Sequence, residues 1–431
     1  AVPLAMFLSP KLSDKRTYLV LFVFIVSVTV ASMIFTVKLM LNSYLQVADF
    51  RSLSIVSHIR FSLQVILSIV LLSWFIYKKN RIPYNINAVV HWSLLVWLSI
   101  FLLLLKSLLG IFTLLGVVLV FLIAAIIRIK EKKSKVALAA LLVLILLLPV
   151  LFIGSVVKDY YNFENIHPED VELYTPSGNP YHHDFDQGMR ENGKLVYIYL
   201  CEEELRQEWN KRSSVKYDDD LNGYILGSTL IRYLTSKGYR KDSVGISKLT
   251  EEDVNLILKG VTNYKFKNHT FSIYPRIYET IWELDYYQRT GDPNEKTLAQ
   301  RIEFIKASLI LIGDNPLFGI GTGNWVIKYN EAYDQMNTLL STDKRASSHN
   351  QYLNYLVKFG IIGFIWIMLA ILMPVFRLGH GYNYVFILFL FIYAFANLGD
   401  SNLETHMGLS FFTFFYCFFL RNSPREMKEG H

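Results

Sequence analysis

Eight stretches of the chain are apolar and long enough, or nearly so, to cross a lipid bilayer, and nothing else narrows its possible folds as far. They cover about 18–41, 55–77, 87–105, 110–127, 136–157, 352–376, 382–398 and 404–420. A segment in hydrocarbon has no water to satisfy its backbone, so such runs must form helices that close their own hydrogen bonds. The apolar run over 88–127 is too long for one crossing. It is split at Lys106–Gly110, where a charge, a Ser and a Gly permit a tight helical hairpin. Charged residues are 18% of the chain against 52% hydrophobic, whereas soluble domains carry roughly 25% charge, so water is not the main solvent.

Lys and Arg orient these spans. Fifteen of them fall in connections on one side: Lys11, Lys15 and Arg16; Lys78, Lys79 and Arg81; five cations over 128–135; Arg377; and Arg421, Arg425 and Lys428. The short connections on the other side hold only Arg51 and Lys106. The positive-inside rule makes the first side cytoplasmic. The chain is thus expected to be an all-α polytopic membrane protein with at least eight transmembrane helices and a large, mostly helical outer loop domain. Its expected parts are N-terminal membrane helices over 1–157, the outer domain over 158–350, C-terminal membrane helices over 351–420 and a cytoplasmic tail over 421–431.

The outer segment is too long for a mere connection. Its first third, with Pro168, Pro176, Gly178 and Pro180, reads as loop with short strands such as Lys194–Leu200. Helices are expected over Asn222–Ser236, Thr250–Lys259, Pro275–Tyr287 and Thr297–Ile312. Lys and Arg exceed Asp and Glu by 43 to 36, but the excess sits beside apolar runs as topology requires and forms no basic face suited to nucleic acid. Two cysteines, Cys201 and Cys417, make neither a disulfide framework nor metal-type spacing. Ala1–Leu8 reads as the tail of an apolar run, which leads us to expect further helices before it; a cleaved signal would need a basic region ahead of the apolar stretch.

Several polar residues at the outer surface carry possible chemistry. At 100° per residue Arg301 falls beside Phe304, Ile305, Ser308 and Ile312, with Glu303 and Lys306 opposite as a solvated pair. Such an arginine either snorkels to water or meets a buried anion. Glycines at 319, 321 and 323 precede a helix expected from Trp325; they form a plain turn or aim backbone N–H groups at an anion. His349, followed by Asn350, is expected in the first turn of the helix re-entering the membrane, in line with Leu353, Leu356 and Gly360. An imidazole there caps, sits at the interface or takes a proton from a hydroxyl at neutral pH. A local ion pair with Glu279 accounts for Arg276, and Arg60 at the outer start of a span anchors to headgroups or meets a lipid phosphate. The acidic runs Glu202–Glu204 and Asp218–Asp220 read as solvated turns, and His182 and His183 as exposed loop. A transporter would place ionisable residues at mid-membrane and show paired repeats, whereas the deeper positions here are nearly free of charge.

The ordered set Arg276, Arg301, Asn315–Gly323, Ser348–Leu353 and Phe359–Gly363 resembles the O-antigen ligase and polymerase superfamily, specifically over Arg276–Phe364 and by topology alone elsewhere. The resemblance implies a GT-C-like inner-membrane glycosyltransferase of about twelve helices, with its active site in a long periplasmic loop domain. It also implies transfer of a glycan from undecaprenyl pyrophosphate to lipid A-core, without cofactor or metal. His349 and Arg301 would match the family's essential histidine and loop arginine. Arg276 would match its second loop arginine, helped in substrate binding by Gly321, Gly323, Asn350 and Arg60. Lys106 stands where the family often has an arginine in a membrane hairpin, as a point charge without the bidentate fork. An O-antigen polymerase or a protein O-oligosaccharyltransferase uses the same donor. The insertion over 159–270 is longer than usual for ligases and is similar in style to proteins of the Bacteroidetes.

Overall fold

The computed structural model describes residues 2–42, 57–78, 87–105, 107–220, 225–267, 273–377 and 383–422. Six helices open the chain: α1 (Val2–Leu8), α2 (Asp14–Asn42), α3 (His58–Tyr77), α4 (Ala88–Leu104), α5 (Leu108–Arg128) and α6 (Lys132–Tyr160). A two-stranded antiparallel hairpin, β1 (Arg190–Glu191) and β2 (Lys194–Leu195), precedes α7 (Glu202–Arg212), α8 (Leu226–Lys237), α9 (Ser243–Ser247), α10 (Glu251–Leu258) and α11 (Tyr274–Thr290). Then follow α12 (Thr297–Asp314), α13 (Trp325–Gln335), α14 (Gln351–Arg377), α15 (Tyr384–Ala396) and α16 (His406–Asn422).

Each apolar stretch picked out in the sequence coincides with a helix among the described residues. Five of these helices, α2, α3, α5, α6 and α14, are long and apolar enough to cross a membrane, while α4 and α15 are apolar but shorter. Polar residues at their starts make the boundaries: Asn87 accepts from the Val89 N–H at 3.0 Å, Ser107 from Gly110 at 3.2 Å and Asn383 from Phe386 at 3.1 Å.

The chain divides into two compact units, residues 1–41, 50–142 and 300–431 forming the first and 42–49 and 143–299 the second. The first is built on apolar helices. α3 is buried along most of its length, and Phe386, Phe389, Phe415 and Phe419 join α15 to α16 by ring contacts of 5.7 to 6.0 Å. Their neighbours leave long apolar side chains exposed, as on α2 and α5, which suits a lipid surround.

The second unit has an ordinary water-soluble core, with Trp209, Tyr233, Leu230 and Ile257 fully buried. Thr250 and Asp253 form a reciprocal capping box at the start of α10. Several of its buried charges are closed in pairs. Glu191, wholly buried, meets Arg232, and Asp253 accepts from Lys237 Nζ at 2.6 Å and Tyr233 Oη at 2.5 Å.

Two expectations change. Glu202–Glu204 opens helix α7 rather than a solvated turn: Glu204 is buried and accepts from Thr175 Oγ1 at 2.6 Å, Asn179 Nδ2 at 2.8 Å and the Ser243 N–H at 2.9 Å. Three successive acids favour a helix N-terminus, where the dipole is positive. Finally, α14 is not one continuous span, because Gly360 breaks it with φ 61° and ψ −171°.

Candidate functional site

The break at Gly360 explains the glycine-rich segment. The loop before α13 docks into the gap: Ile320 and Gly321 donate their N–H groups to the carbonyls of Val357 and Lys358 at 2.8 and 2.9 Å. The N–H groups of Ile361 and Ile362 donate in return to Pro316 and Leu317 at 2.9 and 3.2 Å. Four backbone groups freed by the break are thereby satisfied. The approach needs glycine on both sides, since a Cβ on Gly360 would lie 2.3 Å from the Leu317 carbonyl and one on Gly319 would lie 2.5 Å from the Val357 oxygen. The Gly321 N–H expected to face an anion is thus engaged with Lys358, and Gly323 lies exposed beyond the docked part.

The docked loop holds α12 and α13 against the start of α14, where the polar residues of the first unit gather. His349 lies just before the helix, not in its first turn, and Asn350 is the cap: its Oδ1 accepts from Tyr352 and Leu353 at 2.9 and 3.1 Å, and its Nδ2 donates to the Leu398 carbonyl at 3.1 Å. Both ends of the Asn350 amide thus hold structure. Gln351 locks the same two segments, donating its N–H to Asn397 and accepting from Leu403, each at 2.9 Å.

His349 Nδ1 then falls 3.4 Å from Asp400 Oδ1 in the connection between α15 and α16. The other Asp400 oxygen is 3.3 Å from the guanidinium of Arg60, in the first turn of α3, whose Nε also donates to Thr405 Oγ1 at 2.9 Å. The His349 side chain is 44% exposed and that of Asp400 only 7%. Burial alone would push the Asp400 carboxyl up, but the hydrogen bond from His349 and the charge of Arg60 outweigh it and hold the group below the usual carboxylate range. A carboxylate accepts only, so it selects the tautomer with hydrogen on Nδ1 and leaves Nε2 with its lone pair.

Beneath the histidine lies a buried polar net. Asn354 accepts from Ser348 Oγ at 3.0 Å and donates to Ser401 Oγ at 2.7 Å, while the hydroxyls of Ser308 and Tyr329 meet at 2.8 Å. Phe304 of α12 packs on the His349 ring at 5.7 Å between centroids. Arg301, half-buried, is one helical turn before Phe304. The expected faces of α12 shift by one position: Glu303 is buried and pairs with exposed Lys306 at 2.9 Å, whereas Ile305 is exposed.

The first unit thus brings together His349, Asn350 and Arg60, with the Arg301 turn beside them. Arg276 belongs to the second unit, where its guanidinium lies 3.8 Å from Glu279, the local pair read from the sequence. Lys106 lies outside the described residues. Among the described residues no three His, Cys, Asp or Glu side chains gather as a metal-holding group. Asp400 and the supporting Ser348, Asn354, Ser401 and Tyr329 were not singled out in the sequence. The available signal was an acid in a short connection between two apolar helices, where carboxylates are rare.

Residues 255–368 match the family model described as O-antigen ligase. An uncharacterized protein of Haemophilus influenzae (strain ATCC 51907 / DSM 11121 / KW20 / Rd) is 34% identical over 80 residues, which is 19% of this chain and 20% of that protein. The chain therefore spans about a fifth of the length of that curated relative. No solved structure matches.

Proposed function

We propose, from the fact that the chain belongs to the O-antigen ligase superfamily through residues 255–368, that it is a glycosyltransferase of the bacterial inner membrane. Its reaction moves a polysaccharide from undecaprenyl pyrophosphate to lipid A-core at the periplasmic face. One observation carries the reading: an exposed imidazole, oriented from behind by a buried carboxylate that is itself held by an arginine.

His349 Nε2 takes the proton of an acceptor hydroxyl. The oxygen attacks the anomeric carbon as the bond to the diphosphate breaks, in a single displacement that inverts configuration. Asp400 orients the ring and stabilises the imidazolium that forms. Negative charge grows on the departing diphosphate, and the planar guanidinium of Arg301 meets two of its oxygens. With cationic side chains doing this work the reaction proceeds without a divalent ion.

The test uses the full chain in lipid nanodiscs with an undecaprenyl-diphosphate-linked glycan and three acceptors: lipid A-core, an unfolded protein and a second lipid-linked glycan. Glycan on lipid A-core, undiminished by a chelator, is the expected result. Product on protein or a lengthened lipid-linked chain would reassign the acceptor, and no product with any acceptor would overturn the proposal.

A further inference from the structure

The geometry points to a second role for the loop that fills the helix break: Leu317 and Phe318 form a wedge that inserts among the acyl chains of the outer leaflet, so this irregular loop is a built-in membrane contact. Three observations support it.

The first is depth. Arg377 closes α14 and, being charged, stays at the edge of the hydrocarbon. Gly360 precedes it by 17 residues, about 26 Å at 1.5 Å per residue, within the roughly 30 Å of a hydrocarbon slab. Tilt shortens that projection and places the break deeper.

The second is continuity. Beyond the break α14 exposes Ile361, Ile365, Trp366 and Leu369, the stripe of a helix that faces lipid, and Trp366 is 70% exposed. Leu317 and Phe318, 55% and 73% exposed, adjoin the start of this stripe through the bonds from Ile361 and Ile362 to the Pro316 and Leu317 carbonyls. Two adjacent large apolar side chains at such exposure would be costly in water and extend the apolar surface of the span in lipid.

The third is backbone chemistry. Non-helical backbone survives at membrane depth only where its polar groups are satisfied by protein. The carbonyls of Pro316 and Leu317 and the N–H groups of Gly319, Ile320 and Gly321 all have partners within the loop or across the break.

Site-directed spin labelling tests the wedge in the full chain reconstituted in nanodiscs. Both native cysteines, Cys201 and Cys417, are buried and are replaced by Ser. Labels are placed by Phe318→Cys, by Leu317→Cys in a second variant, by Trp366→Cys as the lipid reference and by Asp343→Cys as the water reference. Accessibility to molecular oxygen is compared with accessibility to a water-soluble nickel chelate. Oxygen favoured at 318 and 317 to the degree seen at 366 is the expected result. Chelate favoured at both positions, as at 343, overturns the inference. If one variant does not reconstitute, the other decides by the same comparison. The measurement needs no glycosyl transfer, so its outcome is separate from that of the proposed reaction.

Discussion

The two compact units handle buried polarity in opposite ways. In the second unit several buried ionised groups are matched partner to partner, as with Glu191 and Arg232, Asp253 and Lys237, or Glu204 and its three donors. In the first unit a buried carboxylate is also matched, by Arg60 and the Ser401 N–H, but it further meets an imidazole that is partly exposed. A closed set of polar contacts specifies structure, whereas a set that ends on an exposed titratable nitrogen is available for chemistry. The contrast is what the proposed reaction rests on in the first unit, while the paired charges of the second serve its fold.

Four substitutions break or sharpen this contrast. His349→Ala should abolish transfer, with about a thousandfold loss typical of removing a general base, while the protein still accumulates. Surface glycan on lipid A-core, probed in cells lacking the native enzyme and compared with immunoblotted protein, reads this, and undiminished glycan would remove the active site from His349. Asp400→Asn should cost less, about a hundredfold, because it disturbs the tautomer and orientation of the base but leaves it in place. Partial rescue by Asp400→Glu would mark a positioning carboxylate rather than a packing one.

Gly360→Ala asks whether the helix break and its docked loop are needed to hold that site. A Cβ there meets the Leu317 carbonyl at 2.3 Å in a positive-φ conformation, so thermal unfolding should show a loss of about 2–3 kcal/mol. An unchanged melting temperature would show that the loop docks without it.

Glu204→Gln is the smallest and most local. Burial opposes ionisation of Glu204, yet bonds from Ser243, Thr175 and Asn179 push its carboxyl down to about 2 from an ordinary 4.5. The sign follows: its stabilisation is present above about pH 4.5 and is lost as pH falls toward 2. The variant should lose roughly 2 kcal/mol at neutral pH and flatten the acid limb of unfolding. Unfolding curves against pH for the two proteins check this, and parallel acid limbs would show that Glu204 is not the sensor.

The helices of the first unit were legible because the bilayer writes a long, simple signal: runs such as 14–41 and 108–128 can do little else. The order Arg301, glycine loop, His349 was equally plain as a pattern. What that pattern did not contain was its purpose. The glycines at 319–323 read as a plain turn or an anion-facing loop, and Gly319 with Gly360 serves a backbone-to-backbone junction between segments about forty residues apart. Likewise the run of glutamates at 202–204 read as surface charge because its donors, Thr175, Asn179 and Ser243, are distant in sequence.

The sequence by itself determined that this chain carries several helices apolar and long enough for a membrane, since hydrophobic length is a local property that needs no partner. Only the tertiary structure decided that Asp400 stands behind His349, 51 positions away, and that Arg60 stands behind Asp400. Hydrogen-bond partnership depends on which loop ends the packed helices bring together, and no periodicity along one helix encodes its neighbour.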